Sequence, residues 1–218
     1  MNCIAKEVVF IVRQERLDDA KRARLMEAAI EEFSERGFEG ASYNKIIERS
    51  GLSKGTVYYY FDNKDSLLRT VLDEICERFL DAIGDLRLPE TPEEYWETDL
   101  EYHKRAMRFF LENPSLSRVM FWLSKDDFFS DERLFEAHKR ASESMDKLIA
   151  RGQEIGAVRS DLPVTTIQRL MHAVGKVLSS AILGECESCG TKDKVMVQAQ
   201  VERFMLMVHD LGRRALTP

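Results

Sequence analysis

The segment Ser42–Leu68, SYNKIIERSGLSKGTVYYYFDNKDSLL, constrains the fold more than any other part of the chain. Ser42 can cap a first short helix whose Ile46 and Ile47 face inward, and Gly51 supplies the left-handed conformation that ends it. Ser53 then caps a second helix, so two short helices follow one another across a tight turn. The second displays Lys54, Gly55, Thr56, Val57, Tyr58, Tyr59 and Tyr60. This basic, small and aromatic surface is just long enough to enter a DNA major groove about 12 Å wide. Phe61 closes the unit, and Asp62-Asn63-Lys64 breaks the chain before a new helix begins.

The flanking sequence is helical throughout. From Asp18, the spacing of Leu25, Ala28, Ala29 and Phe33 predicts a helix ended by Gly37. From Lys64 to about Asp85, Leu67, Leu68, Val71, Leu72, Ile75, Phe79 and Ile83 share one face of a longer helix. Pro89 and Pro92 mark a domain border, after which helical spacing resumes in 93–112, 114–123, 128–155, 164–184 and 192–211. The expectation is an all-α chain of about nine helices: an extension over 1–16, a three-helix reading domain over 17–63, a connecting helix over 64–86 and a larger helical domain over 87–218. The extension carries β-prone Val8–Val12 and reads either as an arm packed on a neighbour or, through Lys6 and Arg13, as one reaching DNA.

The formal net charge is −6, yet Lys plus Arg balance Asp plus Glu at twelve each up to Thr70, so the excess acid (26 against 20) lies beyond. Lys45, Arg49, Lys54 and Lys64 gather around the turn, which reconciles an acidic chain with a phosphate-binding patch. Four scattered cysteines make no disulfide framework, no signal peptide opens the sequence and no apolar run reaches bilayer length. A cytoplasmic protein without membrane association is expected.

The run GLSKGTVYYYFDNKDSLL, after an amphipathic helix ending at Gly37-Phe38, resembles the amino-terminal domain of TetR-family transcriptional repressors. The resemblance spans about Leu17 to Leu72. Tyr60 stands where the family often has His, and Ser42 where Thr is usual. It implies that Tyr58, Tyr59, Tyr60 and Lys64 bond phosphates and fix register. From the residues themselves, Ser42 and Tyr43 open the first short helix beside Asn44, which suits adenine; Lys54 reaches guanine acceptors, and Gly55, next to Thr56, lets backbone approach a base edge. Tyr58 and Phe61 can equally be core residues of the small domain.

The resemblance also implies a ligand pocket in the larger domain and a four-helix homodimer interface from 164–184 and 192–211. Aromatic and thioether candidates for an apolar or aromatic small-molecule effector are Trp96, Met107, Phe110, Phe121, Trp122 and Met171, with Tyr102, His103 and His172 as polar anchors. A cavity of several hundred Å³ is expected beside His103 or Trp122, the usual scale of ligand sites. The same side chains can instead be ordinary core. Cys186-Glu-Ser-Cys189 reads as a structural loop or as a metal or redox pair, although a lone CxxC lacks the four ligands of a zinc site. No phosphate loop, nucleophile motif or metal-binding helix signature is present, so neither enzyme nor cofactor is indicated. A ligand-responsive homodimeric repressor on a pseudo-palindromic double-stranded DNA operator is the reading. Activation, or a purely structural helical protein, remains the alternative.

Overall fold

The computed structural model describes residues 18–124, 132–171, 173–174 and 194–218. All regular structure among them is helical: α1 (Asp19–Gly40), α2 (Tyr43–Ser50), α3 (Lys54–Tyr60), α4 (Lys64–Ile83), α5 (Pro92–Glu112), α6 (Pro114–Ser124), α7 (Glu132–Glu154), α8 (164–171) and α9 (Lys194–Leu216). The expected all-α class, with a helix-turn-helix near the amino terminus, is what forms. The extension, Cys186, Cys189 and His172 lie outside the described residues.

The chain divides into two compact units, Met1–Glu77 with Asn113–Ala137, and Arg78–Glu112 with His138–Pro218. The division runs between Glu77 and Arg78, inside α4, and α6, which packs along α1, belongs to the first unit. In that unit Leu25, Ala29, Phe33, Ile46, Val57, Phe61, Leu67 and Val71 are essentially removed from water. Phe61 is therefore core. The elements stop and start by short-range chemistry. Asp18 caps α1 through the Ala20 amide, and Gly51 at φ 66° closes α2. Asn63 and Ser66 cap α4 reciprocally, each side chain accepting the other's backbone N–H.

In the second unit Tyr95, Trp96, Leu148, Ile149, Val158, Ile167 and Leu216 form the core. Gly152 is required there, since a Cβ on it would stand 2.4 Å from the Tyr95 ring. Its carbonyl ends α7 by accepting the amides of Ala157 and Val158, and the Arg159 amide donates to Leu216 O at 2.7 Å. The last helix runs to Leu216, five residues past the expected stop at Leu211. Gly212 does not end it: here glycine supplies room for the Met171 methyl, which a Cβ would meet at 3.0 Å.

Candidate nucleic-acid interface

The two short helices are held by three clasps. Ser42 accepts the Lys45 amide at 3.4 Å and Ser53 accepts the Thr56 amide at 3.1 Å, so both expected caps form. Tyr43 bridges the pair: its hydroxyl donates to Phe61 O at 2.8 Å and its ring meets Tyr58 edge-on at 5.3 Å. Burial, with Tyr58 and Asp62 adding, pushes the Tyr43 phenol well above its ordinary value. Of the expected DNA residues, Tyr43 thus has its hydroxyl engaged inside the head.

Glu32 is the residue that sequence reasoning missed. Its fully buried carboxylate accepts the Ser42 amide at 3.1 Å, Arg36 lies 3.5 Å from the same oxygen, and Arg49 is 3.4 Å from the other. The signal was available, because Glu32 stands seven residues from Leu25 and four from Ala28, on the apolar stripe of α1. Arg49 also donates to Glu35 at 3.1 Å. Its charge is neutralised within the head instead of serving the expected patch.

Lys64 is likewise reassigned. Its ammonium donates to the carbonyls of Phe38 (2.5 Å), Glu39 (3.3 Å) and Ala41 (3.0 Å) and sits 4.5 Å over the Phe38 ring. Three donors meet three carbonyls just past the break of α1 at Gly37, so the Lys64 ammonium is engaged at that helix end within the head.

What faces solvent is the start of α2 and α3. Asn44, Lys45, Lys54 and Gly55 are exposed, Tyr58 and Tyr59 are about half exposed (48 % and 51 %), and Tyr60 packs edge-on against Tyr59 at 4.9 Å. Thr56 shares a hydroxyl contact with Ser53 at 2.8 Å. At Gly55 a Cβ would meet nothing nearer than Ser53 Oγ at 4.0 Å, and its φ is not positive. Nothing inside the chain requires glycine there.

Residues 25–71, the span of this head, match the family model described as bacterial regulatory proteins, tetR family. The chain is 28% identical over 158 residues to an HTH-type transcriptional repressor of Streptomyces coelicolor, covering 72% of this chain and 77% of that protein. The fold extends the match. A TetR-family transcription regulator from Shewanella sp. PV-4 superposes with a TM-score of 0.69 at 18% identity, over 91% of this chain and 98% of the other. SmeT, the repressor of a Stenotrophomonas maltophilia multidrug efflux pump, gives 0.65 at 20%, over 90% of each.

The amino-terminal head matches the TetR family.

The relatives that the chain resembles are transcriptional regulators. Among the described residues no helix is long and apolar enough to cross a membrane.

The TetR-like effector candidates fall in different places. Trp122 leaves the set: its indole packs on Gly37 in the first unit and its Nε1–H donates to Ser34 O at 3.2 Å. The side chain of Phe121 lies outside the described residues. In the second unit Tyr102 and Phe110 gather around Phe79, at 6.5 and 5.7 Å between ring centres. Met107 and Met171 are half-buried. Burial, then Asp99 and Asp146, push the Tyr102 phenol up to about 12. Asp99 is the hub of this region. One of its carboxylate oxygens lies 3.5 Å from both His103 Nδ1 and His209 Nε2. His103 Nδ1–H donates to Asp99 O at 2.7 Å and His209 Nε2–H to Trp96 O at 3.1 Å, since a carbonyl can only accept. Burial lowers the His103 pKa, but hydrogen bonding and charge from Asp99 outweigh it and the net direction is up.

Two grooves open among the described residues of this unit. One of about 440 Å³ is lined by Gln153, Val158, Arg159, Asp161 and Thr217. A smaller one of about 160 Å³ touches Trp96, Glu93 and Arg213. Neither reaches His103, so the expected cavity beside that imidazole is not one of them.

Proposed function

We propose that the chain is a homodimeric, ligand-responsive repressor that binds a pseudo-palindromic operator in the cytoplasm and is released by an apolar or aromatic small molecule. The observation that carries the DNA-binding part is Gly55. A glycine on an exposed helical turn, with open space where a Cβ would stand and no left-handed backbone, weakens its own helix without internal benefit. Close approach of something outside the chain explains it. Lys54 and Asn44 flank that point with base-reading donors, while Tyr58 and Tyr59 offer hydroxyls to phosphates.

Repression follows the printed function of the Streptomyces relative. Dimerisation is supported by Leu206, Met207 and Leu211 of α9, each at least half exposed in the single chain. A two-fold dimer sets two reading helices about 34 to 36 Å apart, the spacing that half-sites on one face of DNA require. For the effector, Trp96, Tyr102, His103, Met107, Phe110 and Met171 of the second unit remain the proposed lining. Release is a coupling free energy: a guest favouring one arrangement of the heads weakens DNA binding by the factor with which DNA weakens the guest.

The test is enrichment of duplexes from a random pool, followed by a salt titration of the selected duplex and sedimentation. An inverted repeat, a steep salt slope and a dimer are expected. Leu206→Asp with Leu211→Asp should yield a helical monomer that no longer binds. Asn44→Ala and Lys54→Ala should each cost about 1 to 3 kcal/mol at one operator position. Failure to enrich any sequence overturns the reading.

A further inference from the structure

We infer that Trp122 is a positioning residue for operator recognition, a peg from α6 that fixes the direction in which the chain leaves α1 and enters the reading helices. The inference rests on the DNA-binding reading above.

The geometry is specific. Helix α1 breaks at Gly37, whose φ of 66° and ψ of 176° turn the chain out of the helix. The indole lies against that glycine, so close that an added Cβ would stand 3.2 Å from two ring carbons. On the turn before, its Nε1–H takes the Ser34 carbonyl at 3.2 Å. Ser34 itself is buried, with its hydroxyl donating to Glu31 O. Five residues after the break, Ser42 caps α2, its amide held by Glu32 from within α1. The carbonyls between are held by Lys64. Segment 37–42 is therefore fixed at three points: Trp122 at its start, Lys64 along its length and Glu32 at its end. The last two come from the contiguous head. Trp122 comes from 88 residues away and is a contact through which α6, packed along α1, reaches this segment. The residue is also 36 % exposed.

The experiment uses the full chain and a duplex enriched from a random pool by the wild-type protein, with a scrambled duplex of equal length as control. Trp122→Ala is expected to lower affinity for the selected duplex by about tenfold while leaving scrambled-duplex affinity and the salt slope unchanged, since no charge is lost. Trp122→Phe, which keeps a ring over Gly37 but lacks the donor, should lose about fivefold, the equivalent of one net hydrogen bond. A second readout follows the ring itself. The chain has two tryptophans, so in a Trp96→Phe background the emission reports Trp122 alone. Gly37→Ala in that background should red-shift the emission, raise acrylamide quenching and lower the ratio of selected to scrambled affinity together. A merely structural tryptophan would lower thermal stability and leave that ratio intact in the folded fraction. The inference is overturned if the indole unseats and the ratio holds, or if Trp122→Phe and Gly37→Ala bind the selected duplex as wild type does. If Trp122→Ala is unfolded by circular dichroism, those two variants decide by the same measurements. Should the wild-type protein itself enrich no sequence, the DNA-binding reading fails instead, and the two failures are thereby distinguished.

Discussion

Gly55→Ala separates what the fold wants from what the partner wants. In the free protein the new methyl points into open space, 4.0 Å from Ser53 Oγ, and the backbone there is not in the left-handed region. Alanine exceeds glycine in helix interiors by about 1 kcal/mol. Gly55 sits in the first turn of a seven-residue helix, where ordering counts for less, so about 0.5 kcal/mol is a fair expectation. For a chain of this size that raises the melting temperature by roughly 1 to 2 °C. On DNA the same methyl occupies the space a base edge or phosphate would take, and a displaced good contact costs about 1 to 3 kcal/mol, or roughly five- to 150-fold in affinity. The assay pairs a calorimetric melt of the free protein with fluorescence anisotropy on an enriched duplex. More stable and more weakly binding is the expected combination. A lower melting temperature would mean the backbone around Gly55 is not as described. Unchanged affinity would mean the glycine is not a point of approach, and the argument for an external partner would fall with it.

Lys64→Ala should destabilise the fold by about 2 kcal/mol, because the carbonyls of Phe38, Glu39 and Ala41 lose a charged donor, and in the folded protein it should leave the salt slope of DNA binding unchanged. A slope lower by one would restore Lys64 to the phosphate contacts. Gly152→Ala places a methyl 2.4 Å from Tyr95 and 2.7 Å from Val158, so chemical denaturation should reveal a loss of about 1 to 3 kcal/mol with the DNA-binding surface untouched. For His103 the folded pKa is raised by Asp99, so its contribution is fully present below the unfolded value of about 6.5 and is lost as pH rises through the folded value. Denaturation free energies should fall between pH 6 and 8 more steeply in wild type than in His103→Gln. Parallel pH profiles would show that the Asp99 pairing does not operate in solution.

The sequence by itself determined whatever is decided within one helical turn. Ser42, Ser53 and Gly51 cap and close α2 and α3 because their partners lie within three residues, and Phe61 is core because an aromatic there completes the apolar face of the head. The family pattern was legible for the same reason, being a run of local caps and turns. What only the tertiary structure decided are the long side chains and the glycines. Lys64 and Arg49 read as surface cations, yet their charges are consumed by groups that the fold brings from 14 to 26 residues away. Trp122 read as one more apolar residue of the larger domain until α6 packed on α1 and placed it over Gly37. The last helix, expected to stop at Leu211, runs on through Gly212, beside the Met171 methyl, to Leu216. In each case the deciding partner is remote along the chain. A flexible side chain chooses among partners, and a glycine between continuing and ending a helix, only after packing has fixed which groups are near.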